Sequence, residues 1–551
     1  MNPVAAVRRC PELAAVLAAQ AALVAVVSRH ATVSWQVSDA QTYFSQAVML
    51  WQGLFPPNPV RPLFYPFYLS LGLKLFGLSG PGPALWQALP YLATTPLVWR
   101  AAKLAGGRAT AGLAAGLYAF LPSALFYGSI FLLREPLTGF LLLLTINLTQ
   151  LMLDQPDGRP DWRPAIRCGL AAGLLVLVKP EFGSLLALLA VIYSIAGARR
   201  RDLKPAASWI VCGLTALALT APVVLLDRAV YHDWFFVNTY KGYNLYLSYC
   251  GRSDEPGGRS FSELEDDRFQ RAHDAGVKII YLSPDAVPYS ERDNRLAKLA
   301  FGCIAADPGW AAAAYPRRLL SILFIPNHDA LDIMQAGNFG PFSPAAVQFA
   351  RFFSLLFNAL TIFLLLPAAG LLIRTRIGRL VLIGIGWYVI LMAAVYFVPR
   401  YRMAVWPLWA VAGGAGAAGL REWWRRGSRV RLLLIGWLLL AAAVSGPVIL
   451  AEAARLLTPA EWVRPPEGQG ISSRDQRDNL VDLAGSFIEA ENLAGLDREL
   501  GGYIRDRHAS LNRATLTDAG DYFARLGRPE GAAFFERMAV ELYGPAAPVS
   551  P

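Results

Sequence analysis

The sequence predicts an all-α polytopic membrane protein, and three observations carry that prediction. Of 551 residues, 55% are hydrophobic and only 17% are charged, with a mean hydropathy of +0.37; soluble globular domains are more polar. Apolar windows of about 20 residues, long enough to span hydrocarbon, recur along most of the chain. Between alternate windows stand clusters of arginine and lysine, which accumulate on the cytoplasmic side of a membrane.

The first window, 12–30, lacks a small-residue cleavage site and reads as a retained helix rather than a signal peptide. Further windows fall at 83–104, 109–127, 132–153, 165–180, 182–198, 206–227, 346–373, 380–398, 403–420 and 432–452, about eleven in all. The basic clusters are Arg8 and Arg9; Arg100, Lys103 and Arg108; Arg159, Arg163 and Arg167; Arg199, Arg200, Arg201 and Lys204; Arg374, Arg376 and Arg379; and Arg421, Arg425, Arg426, Arg429 and Arg431. All of them share one face only if the apolar segment 63–79, which contains Pro66, does not cross. That segment is therefore expected to be re-entrant or to lie on the surface. The net charge of +11 is then a topology signal and implies no nucleic-acid partner.

This topology divides the chain into four parts. Residues 1–228 form an N-terminal membrane module with a first external loop at 31–82. Residues 229–345 are polar, irregular and too long for a connector, and are expected to form an extracytoplasmic cap. Membrane helices follow at 346–452, and 453–551 is expected to be an extracytoplasmic helical tail. Within the tail, "DYFARLGRPEGAAFFERMAVEL" reads as a helical pair rather than a repeat array. Cys10, Cys168 and Cys212 lie in or beside membrane windows, whereas Cys250 and Cys303 share the cap. An oxidising compartment would permit those two to pair, and their geometry is left open by sequence. No His/Cys cluster has zinc spacing, and "NHDALD" (His328, Asp329, Asp332) reads as a loop or helix cap. No cofactor is required by this reading, and a need for a divalent metal is left open.

Charges at the external face carry the functional reading. Asp39, in "WQVSDAQTYFSQAVMLWQG", is the single carboxylate between Glu12 and Glu135. Tyr43, Phe44, Ala47, Val48, Leu50 and Trp51 follow at spacings that suit a helix lying on the membrane. Asp39 can cap that helix, and a carboxylate fixed there is also placed to act as a base. Glu135, beside Arg134 in "SIFLLREPLTGFLLLL", either complements a helix start or takes part in catalysis. Lys179 and Glu181 share the turn "LVKPEFG" as a helix-end pair or as site residues. Arg61 precedes the re-entrant candidate in "NPVRPLFYPFY". Arg400 and Arg402, in "VPRYRMAVWP", join two apolar windows, as interfacial anchors or as ligands. Carboxylates and several cations at headgroup level suit a substrate with a phosphate and a lipid tail, because arginine forks match phosphate oxygens and a carboxylate can deprotonate a hydroxyl.

In their order, these segments resemble the GT-C superfamily of polytopic glycosyltransferases, especially the protein O-mannosyltransferase and lipid A aminoarabinose transferase branch (family 39 and 83-like). "SDAQTYFSQAVMLWQG" is similar to that branch's acidic motif and surface helix, and "RPLFYPFY" to its basic, proline and aromatic stretch. "LFGLSG", "REPLTGFLLLL", "KPEFG", "RYRMAVWP" and "NTYKGYNLYLSYCG" have counterparts further along. The similarity covers roughly residues 12–420. It implies a GT-C fold and transfer of a sugar from a polyprenyl-phosphate donor to an envelope lipid, glycan or protein hydroxyl, at the outer face of a bacterial inner membrane. Asp39 and Glu135 are the expected catalytic residues; Arg400, Arg402, Lys179 and Arg61 are expected to bind the donor phosphate. Many relatives have Asp-Glu where this chain has Asp39-Ala40, and some carry an acid where it has Val60, so no metal site is carried over. The rival reading is a transporter or flippase of a lipid-linked or anionic substrate, which would place its charges near the bilayer midplane in matching halves.

Overall fold

The computed structural model describes residues 10–30, 39–56, 61–78, 81–129, 132–155, 161–234, 236–237, 241–250, 289–324, 344–395, 399–425, 428–456, 473–506 and 513–544. The side chains of Asp39 and Arg400 are outside that description. All regular structure among the described residues is helical. The chain is an integral membrane protein. Among the described residues, five helices are long and apolar enough to cross a bilayer, or up to seven if each of two bent pairs is one span. Length and composition therefore do not reproduce the expected count of about eleven.

Part of that difference is a reversal hidden inside one helical element. Helix α1 spans Pro11–His30, α2 Asp39–Trp51, α3 Phe64–Phe76 and α4 Gly82–Ala119. Inside α4 the chain turns back at Gly107, whose φ of 87° and ψ of −170° are all but closed to L side chains. Tyr91 Oη consequently donates to the carbonyl of Ala119 at 2.7 Å, and the rings of Tyr91 and Tyr118 stand 5.4 Å apart. The windows at 83–104 and 109–127 thus lie side by side within one element. Helix α5 (Pro122–Ser129) follows after a 60° bend.

The two expected short helices are both present. Both α2 and α3 have 13 residues, about 20 Å at 1.5 Å per residue and too short to cross hydrocarbon. They pack on each other with Tyr43 and Tyr65 edge to face at 5.0 Å. Tyr68 stacks on Trp86 at 5.2 Å, and Tyr65 Oη donates to Gln87 Oε1 at 2.9 Å, so α3 is held along the start of α4. At 13 residues, α3 is by itself too short to span a bilayer.

Next come α6 (Glu135–Leu153), α7 (Arg163–Val178), α8 (Phe182–Arg199) and α9 (Lys204–Tyr231). The cap contributes α10 (Lys241–Tyr249), α11 (Tyr289–Ala306) and α12 (Pro308–Phe324). A disulfide joins Cys250 to Cys303, with Cα atoms 5.4 Å apart, so the two cap cysteines do pair. Asp293 of α11 accepts from the amides of Gly242 and Tyr243 at 2.7 and 3.3 Å, and Arg318 of α12 donates to the carbonyl of Ser248 at 3.0 Å. Helix α10 is thereby tied at both ends. The bent pair α13 (Pro344–Phe363) and α14 (Leu365–Leu372) leads to α15 (Arg376–Ala394), a 3-10 turn at Pro399–Ala404, α16 (Trp406–Arg425) and α17 (Ser428–Leu456). The small-residue run of α16 brings it close against α4: a Cβ on Gly414 would meet the carbonyl of Thr110 at 2.6 Å. Membrane helices use such stripes because backbone approach replaces the missing hydrophobic drive.

Polar contacts separate two ends of the bundle. At one end Arg108 pairs with Glu12 and Arg374 with Glu422, each at 2.6 Å, and Arg376 pairs with Asp154. At the other, Arg134 at the start of α6 donates to the carbonyl of Val178 at the end of α7 at 3.2 Å. There too Tyr249 Oη donates to the carbonyl of Ala394 at 2.6 Å. The tail forms α18 (Ser473–Glu489), a short helical turn through Leu493–Gly495 and Leu496–Leu500, and the pair α19 (Arg513–Arg525) and α20 (Pro529–Tyr543). That pair is the simple one expected. A membrane-impermeant thiol reagent should label Glu530→Cys in the tail and Glu422→Cys at the basic end from opposite faces. Labelling of both from one face would overturn this arrangement.

Candidate active site

A cavity of about 440 Å³ opens where the external helices, the cap and the bundle meet. Arg61, Arg134, Glu181, Lys241, Asn244 and Tyr401 supply its polar lining, and Phe236, Leu245 and Leu391 part of its apolar lining. These residues come from the approach to α3, the starts of α6 and α8, the cap, α15 and the 3-10 turn.

Local sequence explains each placement. Arg61 precedes α3 and Arg134 precedes the Glu135-Pro136 start of α6; both are buried. Each guanidinium carbon lies 5.9 Å from the centre of the Tyr43 ring, so both arginines approach the same tyrosine. Cation–ring attraction favours that position. "KPEFG" makes a three-residue turn: the amides of Phe182 and Gly183 donate to the carbonyls of Lys179 and Pro180 at 3.2 and 3.0 Å. Lys179, extended at the end of α7, is directed inward and only 1% exposed. Its ammonium lies 3.3 Å from Glu181 Oε1 and 4.7 Å from the centre of the Tyr401 ring. Burial pushes the Lys179 ammonium below its ordinary pKa, and Glu181 opposes that shift.

Of the residues expected from sequence, the structure gathers Arg61, Glu135, Lys179 and Glu181 at this end, together with Arg134. Glu135 is 2% exposed and within electrostatic reach of Tyr65, Arg134, Lys179 and Tyr388. It stands behind the lining residues and does not line the cavity. Arg61, Arg134 and Lys179 against Glu135 and Glu181 leave one positive charge in excess, before Lys241 at the rim is counted. Asp39 opens α2 four residues, about one turn, before Tyr43, whose ring both arginines approach. Arg402 is turned elsewhere. Its guanidinium is buried, donates to the carbonyl of Ile322 in α12 and does not line the cavity. Burial pushes Arg402 down to about 10, leaving it charged at neutral pH.

Tyr43, Tyr401, Lys241, Asn244 and Phe236 were not singled out as site residues by their sequence. Tyr43 lies four residues after Asp39, and Tyr401 lies between the two arginines of "RYR", which were the available signals. A second, apolar cavity of about 300 Å³ lies between α7, α8 and α9, lined by Ala172, Gly183, Ala190, Ala216, Leu217 and neighbouring residues. Phe236 lines both cavities. Among the described residues, no three His, Cys, Asp or Glu side chains form a group that could hold a metal ion.

Residues 60–226 match the model of the dolichyl-phosphate-mannose-protein mannosyltransferase family. The resemblance is to the GT-C glycosyltransferases. The matched stretch contains Arg61, Arg134, Glu135, Lys179 and Glu181, and excludes Asp39, Arg400 and Arg402. No curated protein matches the chain. Among solved structures, the Archaeoglobus fulgidus oligosaccharyltransferase complex with Zn and sulfate is similar at 15% identity and a TM-score of 0.43, over 87% of this chain and 56% of that one. The archaeal oligosaccharyltransferase AglB from the same organism, in complex with an inhibitory peptide and a dolichol-phosphate, gives 15% and 0.43, over 89% and 59%. ArnT from Cupriavidus metallidurans bound to undecaprenyl phosphate gives 17% and 0.32, over 74% and 77%. The chain thus spans less than two thirds of the length of these archaeal proteins.

Breaking a buried ion pair costs more than replacing its buried charge by a hydrocarbon of similar size. Glu181→Gln should therefore destabilise the protein by about 1–3 kcal/mol, while Lys179→Met should be close to neutral. Thermal unfolding in detergent micelles checks both, and equal losses would contradict the role of Glu181 as counter-ion.

Proposed function

We propose that the protein is a membrane glycosyltransferase that moves a sugar from a polyprenyl-phosphate donor to a hydroxyl of an envelope lipid, glycan or protein, at the outer face of a bacterial inner membrane. The carrying observation is the pair of adjoining cavities. One sets charged groups, among them Arg61, Arg134, Glu181 and Lys241, beside an apolar wall, the other is apolar and set among membrane helices, and Phe236 borders both. A headgroup with a phosphate and a long hydrocarbon tail has that division. The family match over 60–226 supports the same reading, as do the lipid phosphates named for AglB and ArnT.

The chemistry follows from charge. The acceptor oxygen forms a bond to the anomeric carbon as the bond from that carbon to the phosphate oxygen breaks, and the phosphate leaves with the electron pair. Asp39, at the start of α2, is the base that takes the hydroxyl proton. The donor phosphodiester carries one negative charge, and the departing phosphate gains a second. Cations preorganised around it stabilise the transition state more than the bound donor. Arg61 and Arg134 are assigned that phosphate, with Arg400 completing the contact from the 3-10 turn. Lys179 and Glu135 act from behind, setting the field and holding the arginines. Arg402 is assigned to anchoring the turn against α12, which revises its expected role as a phosphate ligand.

Incubation of the purified protein with a labelled polyprenyl-phosphate sugar and membrane extract is the direct test. Label should appear in an acceptor; label that only crosses the bilayer would support a flippase instead. Asp39→Asn retains capping ability and loses basicity, so turnover should fall by about 10²–10⁴ with stability kept. Near-parent turnover would leave Asp39 as a cap.

Lysine cannot reproduce a two-point phosphate contact. Arg61→Lys, Arg134→Lys and Arg400→Lys should each weaken donor binding by about tenfold, whereas Arg402→Lys should lower the thermal midpoint and leave donor affinity close to that of the parent. Binding of an undecaprenyl-phosphate probe separates these outcomes. Parent-like binding by the first three would remove the phosphate assignment.

A further inference from the structure

Helices α2 and α3 share one orientation with respect to function. Their N-terminal ends meet the candidate site, through the Asp39 position and Tyr43 on α2 and through Arg61 and Tyr65 at the start of α3. Their C-terminal ends meet the tail. Trp51 packs edge to face on Phe487 of α18 at 5.8 Å, and Phe487 is fully buried. One residue on, Asn492 Nδ2 donates to Gln52 Oε1 at 2.8 Å. At the end of α3, the amide of Leu78 donates to Glu499 Oε2 at 3.3 Å. Gly77, with φ of 74°, leaves room for this contact: a Cβ there would stand 2.6 Å from Glu499 Oε2. Asn492 and Glu499 are themselves fixed, the first by accepting from the amide of Gly495 at 2.9 Å and the second by Arg498 at 2.8 Å.

We propose that the C-terminal helices are a positioning device for the site: they hold α2 and α3 by their far ends and so fix where their N-terminal ends stand. Asn492 and Glu499 are the positioning residues, and they act through α2 and α3. The inference rests on the reading of Asp39 and Arg61 as site residues. Helix α3 is held along the start of α4 by Tyr65 and Tyr68, and α2 packs on α3 through Tyr43. The tail adds a further tie at the C-terminal ends of both helices, which are about 20 Å from the ends at the site. A displacement of about 1 Å at a reacting group can cost about a hundredfold in rate, so the consequence falls on turnover.

The test uses full-length protein carrying Gln52→Ala together with Glu499→Ala. Gln52→Ala removes the bridge to α2 while the bond from Gly495 to Asn492 survives, and Glu499→Gln keeps an acceptor for the Leu78 amide as the conservative control. Hydrogen–deuterium exchange in detergent should be about tenfold faster along α2 and α3 in the double variant and unchanged in α6 and α7. Sugar transfer should fall about tenfold in kcat, with KM for the donor and the thermal midpoint kept, and Glu499→Gln should resemble the parent in both measurements. Unchanged exchange in α2 and α3 overturns the proposal, as does parent-like kcat in a variant whose exchange is faster. If the parent transfers no sugar, the proposed function fails, and the exchange measurement alone decides whether the tail holds these helices.

Discussion

The ammonium of Lys179, 1% exposed and 3.3 Å from Glu181, is the constraint around which the site end of the molecule is organised. A buried charge at the edge of a bilayer is tolerated when opposite charge and a polarisable face surround it. Glu181 provides the charge and Tyr401 the face. Satisfying both requires the turn between α7 and α8 to stand against the 3-10 turn between α15 and α16. Once those turns meet, the ends of four membrane helices are in register. Arg134, bonded to the carbonyl of Val178, then brings the start of α6 to the same place.

The excess positive charge left there gives the cavity its chemical character. Arginines from two otherwise separate segments share the ring of Tyr43, which keeps like charges close without letting either lose its orientation. This end therefore gathers more buried cations than carboxylates, while the opposite end of the bundle carries surface pairs such as Arg108 with Glu12. Exposed pairs of that kind contribute little to stability. Their value lies in marking which helix ends face together.

The cap and the tail enclose this end in different ways. The cap is cross-linked by Cys250–Cys303 and presents Lys241 and Asn244 of α10 to the cavity from outside the bundle. The tail grips Gln52 and Leu78 at the far ends of α2 and α3. One covers the site and the other holds its frame.

Much of this was legible in the chain. Apolar length and the side preference of arginine and lysine are local properties, so the membrane class, the short helix after Arg61 and the shared end of Arg61, Glu135, Lys179 and Glu181 could be read before any coordinates. The number of crossings was less legible, because Gly107 folds two windows into one helical element and α7, at 16 residues, is shorter than a full span. Side-chain direction at a turn was not legible at all. Arg402 bonds the carbonyl of Ile322 in α12, some eighty residues away, and Tyr43 meets two arginines that its own helix does not contain. The sequence by itself determined which charges reach the interface, since transfer of each residue into hydrocarbon has its own cost. Only the tertiary structure decided which of them face the cavity, because that depends on what distant elements pack against the other side.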